Sequence, residues 1–353
     1  MKSIKKISAL ILTLALALSL CSCSKGEDVI SCNGASITDR MFSYTLSFYK
    51  SQYLYYYLNS SGSSSAEMKD VPELWSQTTA SSEGKTLGEV LKQNVIDNEK
   101  TVVYFASRAK ELGISLTDSE IETVNSNIQK MRENFDDDKA FEEYMATFNV
   151  TPEELEELTL QEALAQKVQQ KLFSAGGLFE ITSSDILDYY EQNYVSVKHI
   201  YINNINYTAE NGKTVVLNDQ QKAEKNAKAD AVMKNLENGE SFESQMSESE
   251  DDIFESVGDK YTITKGDIAV PEYETAAFDM KEGEVRRLDT SSGIVIIKKY
   301  SLDDITESIT AAIQNTIISE RTTQLVDEYD SKFEINQQLL DSFNVVDMPV
   351  FSD

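Results

Sequence analysis

The chain has 353 residues, of which 41% are hydrophobic and 26% charged, and it carries a formal net charge of −28. This length and balance fit a globular protein of two domains with at least one large core. The acidic excess argues against nucleic acid and against peripheral binding to anionic lipid, and weakly favours basic clients.

Lys2, Lys5 and Lys6 precede an apolar run from Ile7 to Leu20, too short for a comfortable membrane span. Leu20-Cys21-Ser22-Cys23 then resembles a bacterial lipobox. Small Ser22 stands directly before Cys23, whereas bulky Leu20 makes Cys21 the poorer candidate. Residues 1–22 are therefore expected to be a lipoprotein signal peptide, cleaved before Cys23, whose lipidated sulfur would anchor the exported chain on the outer face of the cytoplasmic membrane. An ordinary secretory signal or an uncleaved anchor is the alternative. Removing residues 1–22 leaves a charge of −31. With Cys21 gone and Cys23 a thioether, only Cys32 remains, so no internal disulfide is expected. One cysteine and one histidine make no zinc site, and no cofactor is expected.

Val29 to Thr38 reads as a short strand, a turn and a helix cap, with Thr38 or Asp39 starting a helix to about Leu58. Its aromatic stripe, from Phe42 through Tyr53, Tyr55, Tyr56 and Tyr57, reads as core packing. Ser60 to Ser65 is a loop, and Trp75 sits in a second irregular stretch. Thr86 to Leu112 is amphipathic and Gly113 terminates it. Capping boxes at Thr117–Glu120 and Thr151–Glu154 start further helices, the second with Pro152 at its first position. Thr182 to Asp185 starts one more, through Tyr194.

At Val197 the pattern becomes β. Val197–Tyr207 reads as a strand and Asn218–Leu236 as a helix with Ala223, Ala227, Ala231, Val232 and Leu236 on its apolar side. Ser249–Ser256 is an acidic loop, Pro271–Phe278 a short helix, and Val285–Leu288 and Ile294–Lys299 are strands. Helix returns from Asp303 to about Tyr329 and from Asn336 to Phe343. The fold class is thus α+β: a discontinuous all-helical domain, 23–195 with 302–353 packing back on it, and an inserted domain, 196–301, with a small antiparallel sheet flanked by helices.

The ordered motifs of the insert carry a resemblance. They are His199-Ile200-Tyr201-Ile202, Gly239-Glu240-Ser241-Phe242, Ser249-Glu250-Asp251, Gly258-Asp259, Lys265-Gly266, Pro271-Glu272-Tyr273-Glu274, Gly283-Glu284-Val285 and Thr290 to Ile297. In this order and spacing they resemble the parvulin peptidyl-prolyl isomerase domain, and the surrounding helices resemble the chaperone domain of the PrsA/SurA-like foldases. The resemblance implies catalysis of X-Pro isomerisation in unfolded exported polypeptides, a membrane attachment through Cys23, and no nucleic-acid partner, and it leaves a homodimer open. It implies catalytic roles for His199, Asp251 and Thr290, and a proline pocket of Tyr273, Phe278 and Ala269 (or Ile268 in its place).

This chain departs from the pattern in four places, one of them the pocket methionine, which is Ala269 or Ile268 here. Val295 stands where the family has a second histidine, Lys260 where it has a pocket leucine, and Tyr261 where it has a glycine. A lysine in the pocket costs desolvation unless it reaches out to water. His199 also reads as a buried strand histidine bonded to Thr290 or to backbone, and Asp251 as one of several solvated acids. An isomerase-inactive holdase on the same fold is accordingly the alternative function. No catalytic triad or phosphate loop competes with these readings.

Overall fold

The computed structural model describes residues 26–60, 70–78, 84–208, 212–251 and 260–351. They form two compact units: Ile181–Ile317, and the residues that precede Ile181 together with those from Ile318 on. The expected signal peptide, Cys23, Ser61–Ser65 and the acidic run beyond Asp251 lie outside the described residues.

The flanking unit begins with a hairpin. Strands β1 (Asp28–Cys32) and β2 (Ala35–Thr38) pair antiparallel around Asn33 and Gly34, both at positive φ. Asn and Gly tolerate that region best, so this dipeptide turns the chain. A strand the sequence does not announce, β9 (Glu334–Ile335), adds to β1 with Ile335 opposite Ile30. The expected all-helical domain therefore also carries a three-stranded sheet. The Thr38 hydroxyl accepts from the Met41 N–H at the start of α1 (Asp39–Ser60). Phe42 is buried as expected, but Tyr53, Tyr55, Tyr56 and Tyr57 are exposed. Three consecutive tyrosines point to widely separated azimuths of a helix and cannot share one buried face.

Trp75, expected in an irregular stretch, is buried at the end of α2 (Pro72–Trp75). Its indole N–H donates to Asp70, which also accepts from the buried Lys50 at 2.7 Å. Lys50 further donates to the carbonyls of Val346 and Met348, so a buried charge is fully paired and ties the C-terminal tail to α1. Helices α3 (Leu87–Arg108), α4 (Asp118–Arg132) and α6 (Pro152–Phe173) each start on a complete capping box, at Thr86, Thr117 and Thr151. Between the last two, α5 (Asp138–Thr147) buries Phe141 and Met145 beside Phe148, Val150 and Leu155. α12 (Gln337–Ser342) is held to α3 by Lys92, which donates to Leu340 and Phe343 carbonyls.

The second unit starts with α7 (Ser183–Asn193), capped reciprocally by Thr182 and Asp185, and runs directly into β3 (Tyr194–Ile202). The strand expected over Val197–Tyr207 thus begins three residues earlier and stops at Ile202. Asn203 ends it, because its side-chain carbonyl accepts the N–H groups of Ile205 and Asn206 and bends the chain. β4 (Asn206–Thr208) and β5 (Thr214–Val216) form a separate hairpin. β3 is an inner strand of an antiparallel sheet in the order β6-β3-β8-β7, with β6 Tyr261–Thr264, β7 Val285–Thr290 and β8 Gly293–Tyr300. β6 was not foreseen; its four residues are too few to set a period.

Alternation along β3 gives the sheet its two faces. Ile200 and Ile202 pack with Ile294 and Ile296 of β8 against α8 (Asp219–Glu237). That helix buries Ala229 and Val232, with Met233 and Leu236 beside them, while Ala223, Ala227 and Ala231 are exposed. The face that carries Val232, Met233 and Leu236 is the one buried, because burial energy scales with the apolar area a whole face presents. The other face carries Val195 and Val197 with Val295 and Ile297, covered by Tyr273 and Ala277 of α10 (Pro271–Asp279) and by Met280. α11 (Glu307–Glu328) starts four residues later than the pattern suggested, and its Ile313 and Ile317 pack with Ile186 and Tyr190 of α7.

Candidate functional site

His199 is on the α10-facing side of β3, opposite Ile297 of β8. β6 pairs with β3 only as far as Val197, so the edge of β3 beyond it is open on that side. The loop at Ser249–Asp251 fills that edge. Glu250 N–H donates to Tyr201 O at 2.7 Å, Tyr201 N–H donates to Ser249 Oγ at 2.9 Å, and Asn203 N–H donates to a Glu250 carboxylate oxygen at 3.0 Å. Lys225 clamps the same carboxylate from α8 at 2.6 Å. The loop behaves as an irregular extra strand, and it delivers the next side chain, Asp251, to the histidine.

His199 Nε2 is 2.8 Å from Asp251 Oδ2, and His199 Nδ1 is 2.9 Å from Tyr273 Oη. Ser249 Oγ donates to the other Asp251 oxygen at 2.9 Å. Tyr261 Oη is 3.3 Å from Tyr273 Oη. A continuous polar row therefore runs Ser249–Asp251–His199–Tyr273–Tyr261 across an otherwise apolar face. An ionised Asp251 requires a proton on His199 Nε2. With the ring neutral, Nδ1 is then the acceptor and the Tyr273 hydroxyl its donor.

The electrostatics follow from burial. The His199 side chain is 9% exposed and that of Asp251 27%, so the carboxylate is the partner of this pair that meets solvent. Burial alone would push the Asp251 carboxyl up, but hydrogen bonds from His199 and Ser249 and the nearby imidazole outweigh it and hold the group below its usual range. Burial pushes the Tyr273 hydroxyl far up, reinforced by Tyr261 and Asp251. Burial does the same, less strongly, to Tyr261. Both phenols are thus fixed as neutral dipoles.

The structure brings His199, Asp251 and Tyr273 together but leaves Thr290 at the end of β7, paired with Gly293 at the start of β8. Its hydroxyl donates to Gly293 O at 2.8 Å and accepts from Ser292 N–H. The bond between His199 and Thr290 offered by the sequence is taken by Tyr273 instead. Phe278 and Ile268 pack at the margin of the apolar cluster, while Ala269 is exposed, so Ile268 is the apolar residue of that pair. Val295 lies opposite Tyr201 and is 6% exposed within the apolar cluster. Lys260 reaches outward to Asp303 at 2.9 Å and to Ser301 O at 3.0 Å, which answers its desolvation cost.

Gly293 has a single physical reason. At φ 147° a Cβ there would sit 2.7 Å from the Tyr201 ring, whose hydroxyl donates to Ser292 O at 2.6 Å. The residues that the sequence reading missed as part of the site are Tyr261, noticed only as a departure, and Ser249, noticed only as a motif position. Their signal was the adjacency of Ser249 to an acid two residues on. Tyr273 was read as an apolar wall, and its hydroxyl gave the sequence no indication of its partner.

Residues 186–301 match the model of the PPIC-type PPIASE domain. The whole chain is similar to the foldase protein PrsA of Caldanaerobacter subterraneus, at 23% identity over 91% of this chain and 94% of that one. Among solved structures it is similar to the peptidylprolyl isomerase PrsA of Bacillus anthracis, at 19% identity over 69% of this chain and 96% of that one, with a TM-score of 0.28. It is also similar to a structure described with two SurA-like chaperones of Campylobacter jejuni, at 16% identity over 65% and 95%, with a TM-score of 0.22. Residues 186–301 therefore form a PPIC-type domain, and over most of its length the chain is similar to a PrsA foldase.

Proposed function

We propose that this protein catalyses cis–trans isomerisation of X-Pro bonds in unfolded exported polypeptides while anchored by lipid at Cys23 on the outer face of the cytoplasmic membrane. The observation that carries the catalytic part is the Asp251–His199–Tyr273 row on the apolar face of β3. Isomerisation requires no covalent step. Its barrier, about 18–20 kcal/mol, comes from amide resonance. A site lowers it by binding the twisted amide, in which resonance is lost, more tightly than the planar one. Apolar walls at Tyr273, Phe278 and Ile268 would take the proline ring, and the partly exposed Asp251 would face the carbonyl side. His199, buried behind it, acts as a positioning residue. A protease-coupled assay with a proline peptide tests this. We expect a rate above background for residues 24–353 and its loss in Asp251→Ala; a parent rate at background overturns the claim. For the anchor, Cys23→Ala is expected to move the protein from the membrane pellet to the soluble fraction, and an unchanged distribution overturns it.

A second reading is a holdase without isomerase activity. The outward turn of Lys260 favours it, since the pocket then lacks an apolar side chain at that position. Suppression of client aggregation that survives Asp251→Ala, together with no isomerase rate in the parent, is the outcome that selects it.

A further inference from the structure

The flanking unit contains a cleft of about 470 Å³ between α1, α3, α4 and α6. Tyr44, Phe48, Tyr49, Met131 and Leu158 give it apolar and aromatic walls, and Glu162 is its one charged lining residue. Behind these walls on α3 is Glu99, fully buried, with neither carboxylate oxygen hydrogen bonded. It is surrounded by groups that line the cleft. Glu162 raises its carboxyl further after burial has done so, and Glu99 in turn acts on Tyr49. Tyr44 is affected by Glu162 in the same way, after burial.

A buried carboxyl without a partner is costly, and so are two acids sharing one site. A cation entering the cleft would relieve both. Aromatic faces beside acids suit a cation on an aliphatic stem, which can lay its methylenes on the rings. No lysine or arginine lines the cleft to supply that cation internally. A chain of net charge −28 also draws basic segments towards it.

We propose that this cleft is a binding site for a basic side chain, lysine or arginine, of an extended unfolded polypeptide, with Glu162 pairing the charge and Glu99 supplying the acceptor behind it. The site is independent of the isomerase reading, because it belongs to the other unit and a proline-free peptide probes it.

Isothermal titration calorimetry on residues 24–353 tests the proposal with an unstructured Gly/Ser/Ala peptide containing a central Leu-Arg-Phe. The comparison peptide carries citrulline, a neutral near-isostere, in place of arginine. The arginine peptide is expected to bind at least tenfold more tightly. Glu162→Gln and Glu99→Met are each expected to reduce that preference at least fivefold, with affinity for the citrulline peptide unchanged. Glu122→Gln, on an exposed position of α4, is the control for net charge and is expected to change nothing. Equal affinity for the two peptides overturns the proposal, as does a loss in Glu122→Gln as large as that in Glu162→Gln. Retention of the full preference in both Glu162→Gln and Glu99→Met also overturns it.

Discussion

Tyr273 Oη lies 2.9 Å from His199 Nδ1, so a residue read from the sequence as a pocket wall is also the second hydrogen-bonding neighbour of the lone histidine. That contact links α10 to β3 and fixes the ring plane, which in turn aims Nε2 at Asp251. It follows that the hydroxyl of Tyr273 matters separately from its ring.

Tyr273→Phe keeps the ring and removes only the hydroxyl. His199 Nδ1 is left buried without this partner, which costs about 1–2 kcal/mol of stability. The isomerase kcat/KM is expected to fall about five- to tenfold, mostly in kcat, because the apolar wall survives while the positioning of Asp251 loosens. Urea unfolding and the coupled proline assay measure the two effects. A KM rise with kcat unchanged would show that the hydroxyl touches substrate and does not position the ring.

Val295→His tests the vacancy in the family pattern. The position is 6% exposed and packed among Ile297, Tyr201 and Leu288, with the polar row already running through Tyr273. A second imidazole would be buried without an assured acceptor. We expect a destabilisation of about 1–3 kcal/mol and no more than a threefold gain in kcat/KM. A gain of tenfold or more would mean that the missing histidine is what limits the site.

The carboxyl of Asp251 is held below its ordinary value in the folded chain: its burial works against this, and the hydrogen bonds from His199 and Ser249 prevail. A depressed acid contributes stability that is present above its unfolded value, near pH 3.9, and lost as pH falls through the folded value. Asp251→Asn should therefore flatten the stability profile below about pH 4 and leave its slope above pH 5 unchanged. Thermal unfolding from pH 2.5 to 6 reads this directly.

Glu99 behaves in the opposite sense. Burial, then Glu162, pushes its carboxyl from 4.5 up to about 8, so the folded state holds a proton that the unfolded chain releases. Its destabilising contribution begins above the unfolded value, grows with pH and levels off past about pH 8. Glu99→Met removes it. The variant should be the more stable by on the order of 3 kcal/mol at pH 7, from about 1.4 kcal/mol per unit of separation. The difference should shrink towards pH 5. A pH-independent difference between pH 5 and 8 would show that Glu99 does not titrate over this range.

Much of the scaffold is legible in the chain because its signals are local. Thr86–Glu89, Thr117–Glu120 and Thr151–Glu154 close reciprocal caps within four residues, and such motifs need no distant neighbour. The β7–β8 hairpin and Pro271 at the start of α10 are local in the same way. What escaped was whatever depends on a distant surface. β6 and β9 are too short to carry a period and exist because β3 and β1 offer open edges. The exposed tyrosines of α1 and the buried face of α8 were decided by which neighbours were there to cover them.

The site divides along the same line. The sequence alone determined that His199 is on a strand, that Asp251 follows Ser249 at motif spacing, and that no second histidine exists to join them. Only the tertiary structure decided which groups meet. Residues 52 and 74 positions apart converge on one imidazole because a loop completes an open strand edge and a helix covers the face. Thr290 was drawn instead into its own turn, three residues from its acceptor. Hydrogen bonds to buried groups go to the donor or acceptor that packing brings within about 3 Å, and spacing along the chain does not encode that proximity.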